Sequence, residues 1–483
     1  MSFNSFGFIL AFLPVTLFIY WMLRKKGQNG LSVWFLVLAS VFFYCVNYPV
    51  GIVPFALSLI VNWLLCRKIL LTGKKGFLIT GVVFNVLLLC IYKYGVVLFH
   101  DTAGILSAPG ISFYTFCAIA LLAECNAGTV RDLSVKEYTF LMTFFPKITQ
   151  GPITVPSDIL PQKEGKSGVD IESVYRGVLL FLLGCFKKVI IADTLGAAVD
   201  YGFSNLEAMH TGEALIIMLS YTLQLYFDFS GYCDMAMAVA SFFGFELPLN
   251  FDSPYKARNI ADFWKRWHMS LTRFLTRYIY IPLGGSRKGL TRTCINVLIV
   301  FFISGIWHGA GVTFIIWGMM HGVMMVIYRL YSTRRKARAA EDGDEKKGSR
   351  LSGALSVALT FIYVNAAWVF FRAPRIKDAL SLFESMADVW FPRFNYGLAK
   401  CFNIEELWYV IKILNLDGWN NSIYILMFVI LIALVALVMA APSAAEFSKN
   451  CRIGIVTTVL MIVLAVWCLL SFEGVATYLY VNF

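Results

Sequence analysis

Residues 422–441, SIYILMFVILIALVALVMAA, run for twenty positions without one charge. A hydrocarbon interior offers no water to backbone N–H and C=O groups, so a segment of this kind is stable there only as a helix that makes its backbone bonds internally. Comparable stretches recur along the chain, at 6–23, 31–46, 76–99, 293–307 and 454–470. Across 483 residues the chain is 59% hydrophobic and 14% charged, where soluble domains hold about 45–50% and ~25%. A soluble fold is excluded. The pattern predicts an all-α polytopic membrane protein with about eleven or twelve spans, several of them interrupted.

The first apolar segment has no small-residue cleavage site after it, and Arg24, Lys25 and Lys26 follow its apolar core instead of preceding it. It reads as a retained helix. Lys and Arg favour the cytoplasmic side, which places 24–26, 67–75 and 333–350 inside and the N-terminus outside. The formal charge of +12 sits largely in such short loops, where orientation and anionic membrane lipid account for it; no nucleic-acid partner is implied. Eleven cysteines are scattered through apolar segments without CxxC or other metal spacing, as small buried hydrophobes are.

No fixed-period repeat divides the chain, so residues 1–483 are expected to form a single membrane domain with its catalytic core at 110–330 and a charged cytoplasmic loop at 333–350. Within the core, GISFYTF (110–116), FFPKITQGPI (144–153) and YTLQLYFDFSGYCDMAMAVASFFGF (221–245) carry Pro, Gly and charge that a lipid-facing helix would exclude. Such backbone is tolerated at membrane depth only inside protein or along a wet cavity. The run 252–289 mixes aromatic and basic residues with no uninterrupted span, which predicts interfacial or re-entrant helices at the cytoplasmic face.

Two imidazoles, His308 and His321, lie in the apolar stretch SGIWHGAGVTFIIWGMMHG. On one straight helix they would stand ~20 Å apart. Gly309 and Gly311 allow a break just after His308, so that the chain can return and bring His321 nearer. Two separate histidines bonded to neighbouring carbonyls remain the alternative. A third, His268, falls in the amphipathic run. A buried neutral imidazole, with an ordinary pKa of ~6.5, can take a proton from a hydroxyl. That suits acyl transfer to an alcohol, and equally a proton-coupled glycan transporter or flippase. Asp228 can orient a histidine or serve a structural role at a helix break.

The ordered set YTLQLYFDFSGYCDMAMAVASFFGF, LPLNFDSPYKARNIADFWKRWHMSLTRFLTRYIYIPLGGSRKG, SGIWHGAGVTFIIWGMMHG and WVFFRAP, with GISFYTF, FFPKITQGPI and GCFKKVIIAD in matching order, resembles the membrane-bound O-acyltransferases over most of the chain. The resemblance is nearest to the bacterial alginate O-acetyltransferase branch and more distant to teichoic-acid D-alanylation proteins. It implies a ring of tilted helices around a central tunnel, with cytoplasmic access for the acyl donor and an extracytoplasmic mouth for the acceptor. It further implies that His308 and His268 are catalytic, with His321 supporting; Asp228 is a supporting candidate on the residue reading alone. Lys147 stands where the resemblance leads one to expect an uncharged polar residue.

The expected activity is O-acetyl transfer from a cytosolic thioester, acetyl-CoA or an acyl carrier, to an extracytoplasmic polysaccharide or cell-wall hydroxyl, directly or through a partner protein. The setting implied is a bacterial plasma (inner) membrane. No bound cofactor is expected. D-alanyl transfer is the alternative within the family. For the anionic donor, the expected site is Lys256, Arg258, Lys265 and Arg266 beside Trp264 and Trp267, since Arg pairs with phosphate and an aromatic face can stack on adenine or pack against the acyl arm; the competing role is anchoring an interfacial helix to anionic lipid.

Overall fold

The structure, a computed structural model, describes residues 1–98, 108–162, 165, 168, 170–342, 350–389, 394–404, 408–409, 412–413, 421–472 and 478–479. Every regular element among them is helical. Among the described residues eight helices are long and apolar enough to cross a membrane, and the shorter apolar helices Ile111–Asn126 and Ile455–Leu470 join them. The uncharged run 422–441 forms the helix Ser422–Ala440, with a mean hydropathy of 3.1, the highest of the eight. Of the charged stretch 333–350, residues up to Asp342 continue the helix Val312–Asp342, because Arg, Lys, Ala and Glu there are strong helix formers; residues 343–349 lie outside the described residues.

The contacts divide the chain into two compact units. The first comprises Met1–Phe186, Phe229–Asn250 and Ala444–Phe483. Its helices close over a phenylalanine-rich core in which Phe8, Phe12, Phe43 and Phe145 pack ring on ring at 5.3–6.2 Å. Asn85 donates to Asn62 Oδ1 at 2.6 Å and receives a bond from it at 3.1 Å, a reciprocal amide pair between the helices Ile52–Thr72 and Lys75–Leu98. In an apolar setting such a pair is worth on the order of 1 kcal/mol and fixes the register of the two helices.

The second unit comprises Lys187–Asp228 and Phe251–Ser443. At its centre the helices Gly289–His308 and Val312–Asp342 form a tight hairpin. A Cβ at Gly305 would meet Phe314 O at 2.6 Å, and one at Gly318 would collide with Phe301 O. The two backbones approach as closely as glycine permits, the small-residue packing that lets membrane helices gain dispersion contacts. The segments Ile260–Arg266 and Met269–Leu275 are too short to span, as the mixed aromatic and basic sequence predicts, and each presents buried residues to the unit's interior.

Candidate active site

The chain breaks where the glycines predicted. His308 is the last residue of its helix, Gly309 is extended at φ −173° and ψ 166°, and the next helix begins at Val312. The return brings both imidazoles onto one indole. Trp317 packs at 4.9 Å and 88° against His308, and at 5.2 Å and 67° against His321. The two histidines therefore share a wall, with the Trp317 ring between them. Phe371 of the WVFFRAP segment closes on His308 at 5.0 Å, and Trp368 stacks on Trp317 at 5.5 Å.

His321 is fully buried. Trp264 Nε1–H donates to its Nδ1 at 3.3 Å, which assigns the proton of a neutral ring to Nε2. His321 Nε2 has no hydrogen-bond partner among the described residues.

His268 occupies the junction between the two short helices in the left-handed region, at φ 45° and ψ 53°. For a residue with a Cβ that conformation costs on the order of 1–2 kcal/mol, and it persists where the surroundings over-determine it. Here those surroundings are Phe251 and Trp307, each 6.4 Å from the imidazole. Trp307 in turn lies 4.5 Å from His308, so a single ring joins the two neighbourhoods. Burial pushes the His268 imidazole down to about 3, which keeps it neutral at working pH.

Asp228 stands in an ion cluster. Lys188 Nζ reaches Asp228 Oδ1 at 2.7 Å and Asp193 Oδ1 at 2.8 Å, with Lys188 and Asp228 only 1% and 2% exposed. Lys188 sits in the π-helical turn Lys187–Ala192. The segment GCFKKVIIAD carries this pair without marking it by any motif. The available signal was a Lys and an Asp five residues apart, the spacing of a π-turn rather than an α-turn.

The residues expected to bind the donor separate into three kinds. Trp264 and Trp267 are interior: Trp267 stacks on Phe263 at 5.6 Å and packs on Trp368, while Trp264 serves His321. Both indoles are buried, and the helix Ile260–Arg266 turns Trp264 inward onto the wall around the imidazoles. Lys256 donates to Ala440 O at 3.0 Å, the end of the helix Ser422–Ala440, where a cation complements the helix dipole. Arg266 is held by Asp262 at 2.9 Å and Asp252 at 3.6 Å. Arg258 and Lys265 are the two whose residues are exposed.

A buried imidazole at a glycine-broken helix end, walled by indoles and with a second, neutral imidazole nearby, is chemically capable of proton transfer in a water-poor site. The model of the MBOAT, membrane-bound O-acyltransferase family matches residues 11–366. The chain belongs to that family: it is a multi-pass membrane O-acyltransferase. It is 36% identical to the peptidoglycan O-acetyltransferase of Helicobacter pylori over 433 residues, 80% of each chain. To the probable alginate O-acetylase AlgI of Pseudomonas aeruginosa it is 33% identical, covering 80% of this chain and 75% of that one. The teichoic acid D-alanyltransferase of Bacillus subtilis is more distant, at 26% over 75% of this chain and 95% of its own.

Proposed function

We propose that the enzyme moves acetyl from acetyl-CoA, taken up at the cytoplasmic face of a bacterial plasma membrane, to a hydroxyl of an extracytoplasmic polysaccharide or cell-wall glycan, with a partner protein completing delivery. The observation that carries the reading is His308, buried at the break of a helical hairpin. In the reaction the acceptor O–H gives its proton to His308 and its oxygen attacks the thioester carbonyl. The C–S bond then breaks, and the thiolate leaves with the proton that His308 returns. His268, neutral through burial, stabilises the developing oxyanion as an N–H donor. Arg258 and Lys265, exposed on the re-entrant segment, hold the donor phosphates. The relatives' acetyl substrates and the basic loops at 24–26 and 67–75, which set the N-terminus outside, support this direction of transfer.

Proteoliposomes of known orientation test it. Labelled acetyl-CoA offered at the face bearing those basic loops should deliver label to a glycan, or to a co-reconstituted partner, at the other face. A preparation that ignores acetyl-CoA and uses a D-alanyl carrier protein would replace the acetyl reading with the D-alanyl one. Glycan movement without acyl transfer would overturn both.

A further inference from the structure

We propose that Lys147 forms, in the first unit, a binding site for one small anion of the size of chloride. Lys147 is 6% exposed, and among the described residues no carboxylate lies within ion-pairing distance of it; its polar contact is Cys117 Sγ at 3.5 Å. An isolated ammonium in an apolar interior bears a heavy desolvation penalty unless a counter-charge accompanies it. A small cavity adjoins it, lined by Lys147, Cys117, Tyr114 and Thr154 among others, with about 10 Å³ open to the centre of a water-sized particle. That is room for one small occupant.

The lining points to the charge of that occupant. Tyr114 Oη and Thr154 Oγ1 are buried, with residues 2% and 1% exposed, and neither has a hydrogen-bond partner. Both can donate. With the Lys147 N–H groups they make a set of donors around a cavity next to an uncompensated positive charge, which is the chemistry that recognises a halide. Ile148, next to Lys147 in the helix Phe145–Ile148, packs closely on Gly110, where a Cβ would meet Ile148 O at 2.5 Å.

Thermal unfolding of the purified full-length protein in detergent tests the site, at constant cation and ionic strength, with chloride or bromide replaced by gluconate, which is too large for the cavity. The wild type should melt about 1–3 °C higher in either halide, with the shift growing with halide concentration. Lys147→Met should melt at the same temperature in all three salts. Thr154→Val, which keeps the charge and removes one donor, should move the halide midpoint to higher concentration and serves as the test where Lys147→Met does not fold. Equal melting of the wild type in chloride and gluconate would overturn the site, as would a halide shift that survives Lys147→Met undiminished.

Discussion

Lys188→Met removes the cation between two carboxylates. The Lys188 and Asp228 side chains are 1% and 2% exposed and 2.7 Å apart, while Asp193, at 2.8 Å from Lys188, is 18% exposed. Removing one partner of a buried pair takes from the other its counter-charge, and such losses run to ~3–5 kcal/mol. Asp228→Asn should cost less, under about 2 kcal/mol, because Asp193 still balances Lys188 and the amide oxygen still accepts a hydrogen bond. The double variant Lys188→Met with Asp228→Asn should regain part of the loss, since the one remaining carboxylate, Asp193, is the member that can reach solvent. Unfolding followed by intrinsic fluorescence in mixed micelles should therefore rank Lys188→Met as least stable, the double variant next, and Asp228→Asn nearest the wild type. A Lys188→Met protein within 1 kcal/mol of the wild type, or an Asp228→Asn protein less stable than Lys188→Met, would refute the reasoning.

Gly305→Ala places a methyl against Phe314 O, a backbone atom that cannot turn away; the hairpin should open at a cost of about 1–3 kcal/mol, with acyl transfer lost in the folded fraction, and a fully active Gly305→Ala enzyme would contradict the packing. Trp264→Phe keeps a ring in the wall but withdraws the N–H given to His321 Nδ1, so kcat should fall about 3- to 10-fold while KM for the donor stays constant. A rise in donor KM with kcat intact would instead return Trp264 to the donor site. His268 makes the fold sensitive to acid: below ~6.5 the unfolded imidazole takes a proton that the buried one, pushed down to about 3, refuses. Stability should fall as pH drops from ~6.5 toward 3, by up to about 1.4 kcal/mol per pH unit, and His268→Gln should flatten that part of the melting-temperature profile. Equal slopes for the two proteins would exclude the effect.

The helices were legible because apolar length leaves the backbone no other solution in lipid, and the break after His308 was legible because two glycines interrupt an apolar run. The ion cluster was not. Asp228 lies forty residues from Lys188, and the local Lys188–Asp193 spacing fits no α-helical face; only the π-turn and the folded chain bring the three together. The burial of Trp264 and Trp267 was not legible either. Interleaved with Lys265 and Arg266, they read as an amphipathic surface, yet Trp264 turns inward and Trp267 caps the helix Ile260–Arg266 from inside the aromatic wall. The left-handed backbone of His268 left no trace in the sequence, since no glycine marks it. What holds it is the surrounding packing, which exists only in three dimensions.

The role of His308 as the base is the centre of the account, and single-turnover acyl transfer measures it most directly. Purified wild type and His308→Ala, matched for melting temperature, are mixed with labelled acetyl-CoA and acceptor, and the label reaching the acceptor hydroxyl is followed in time. The account predicts a loss of about 10²–10⁴-fold or more in the first-turnover rate of His308→Ala, with the protein still folded and inserted. Transfer by a folded His308→Ala protein at the wild-type rate would contradict it.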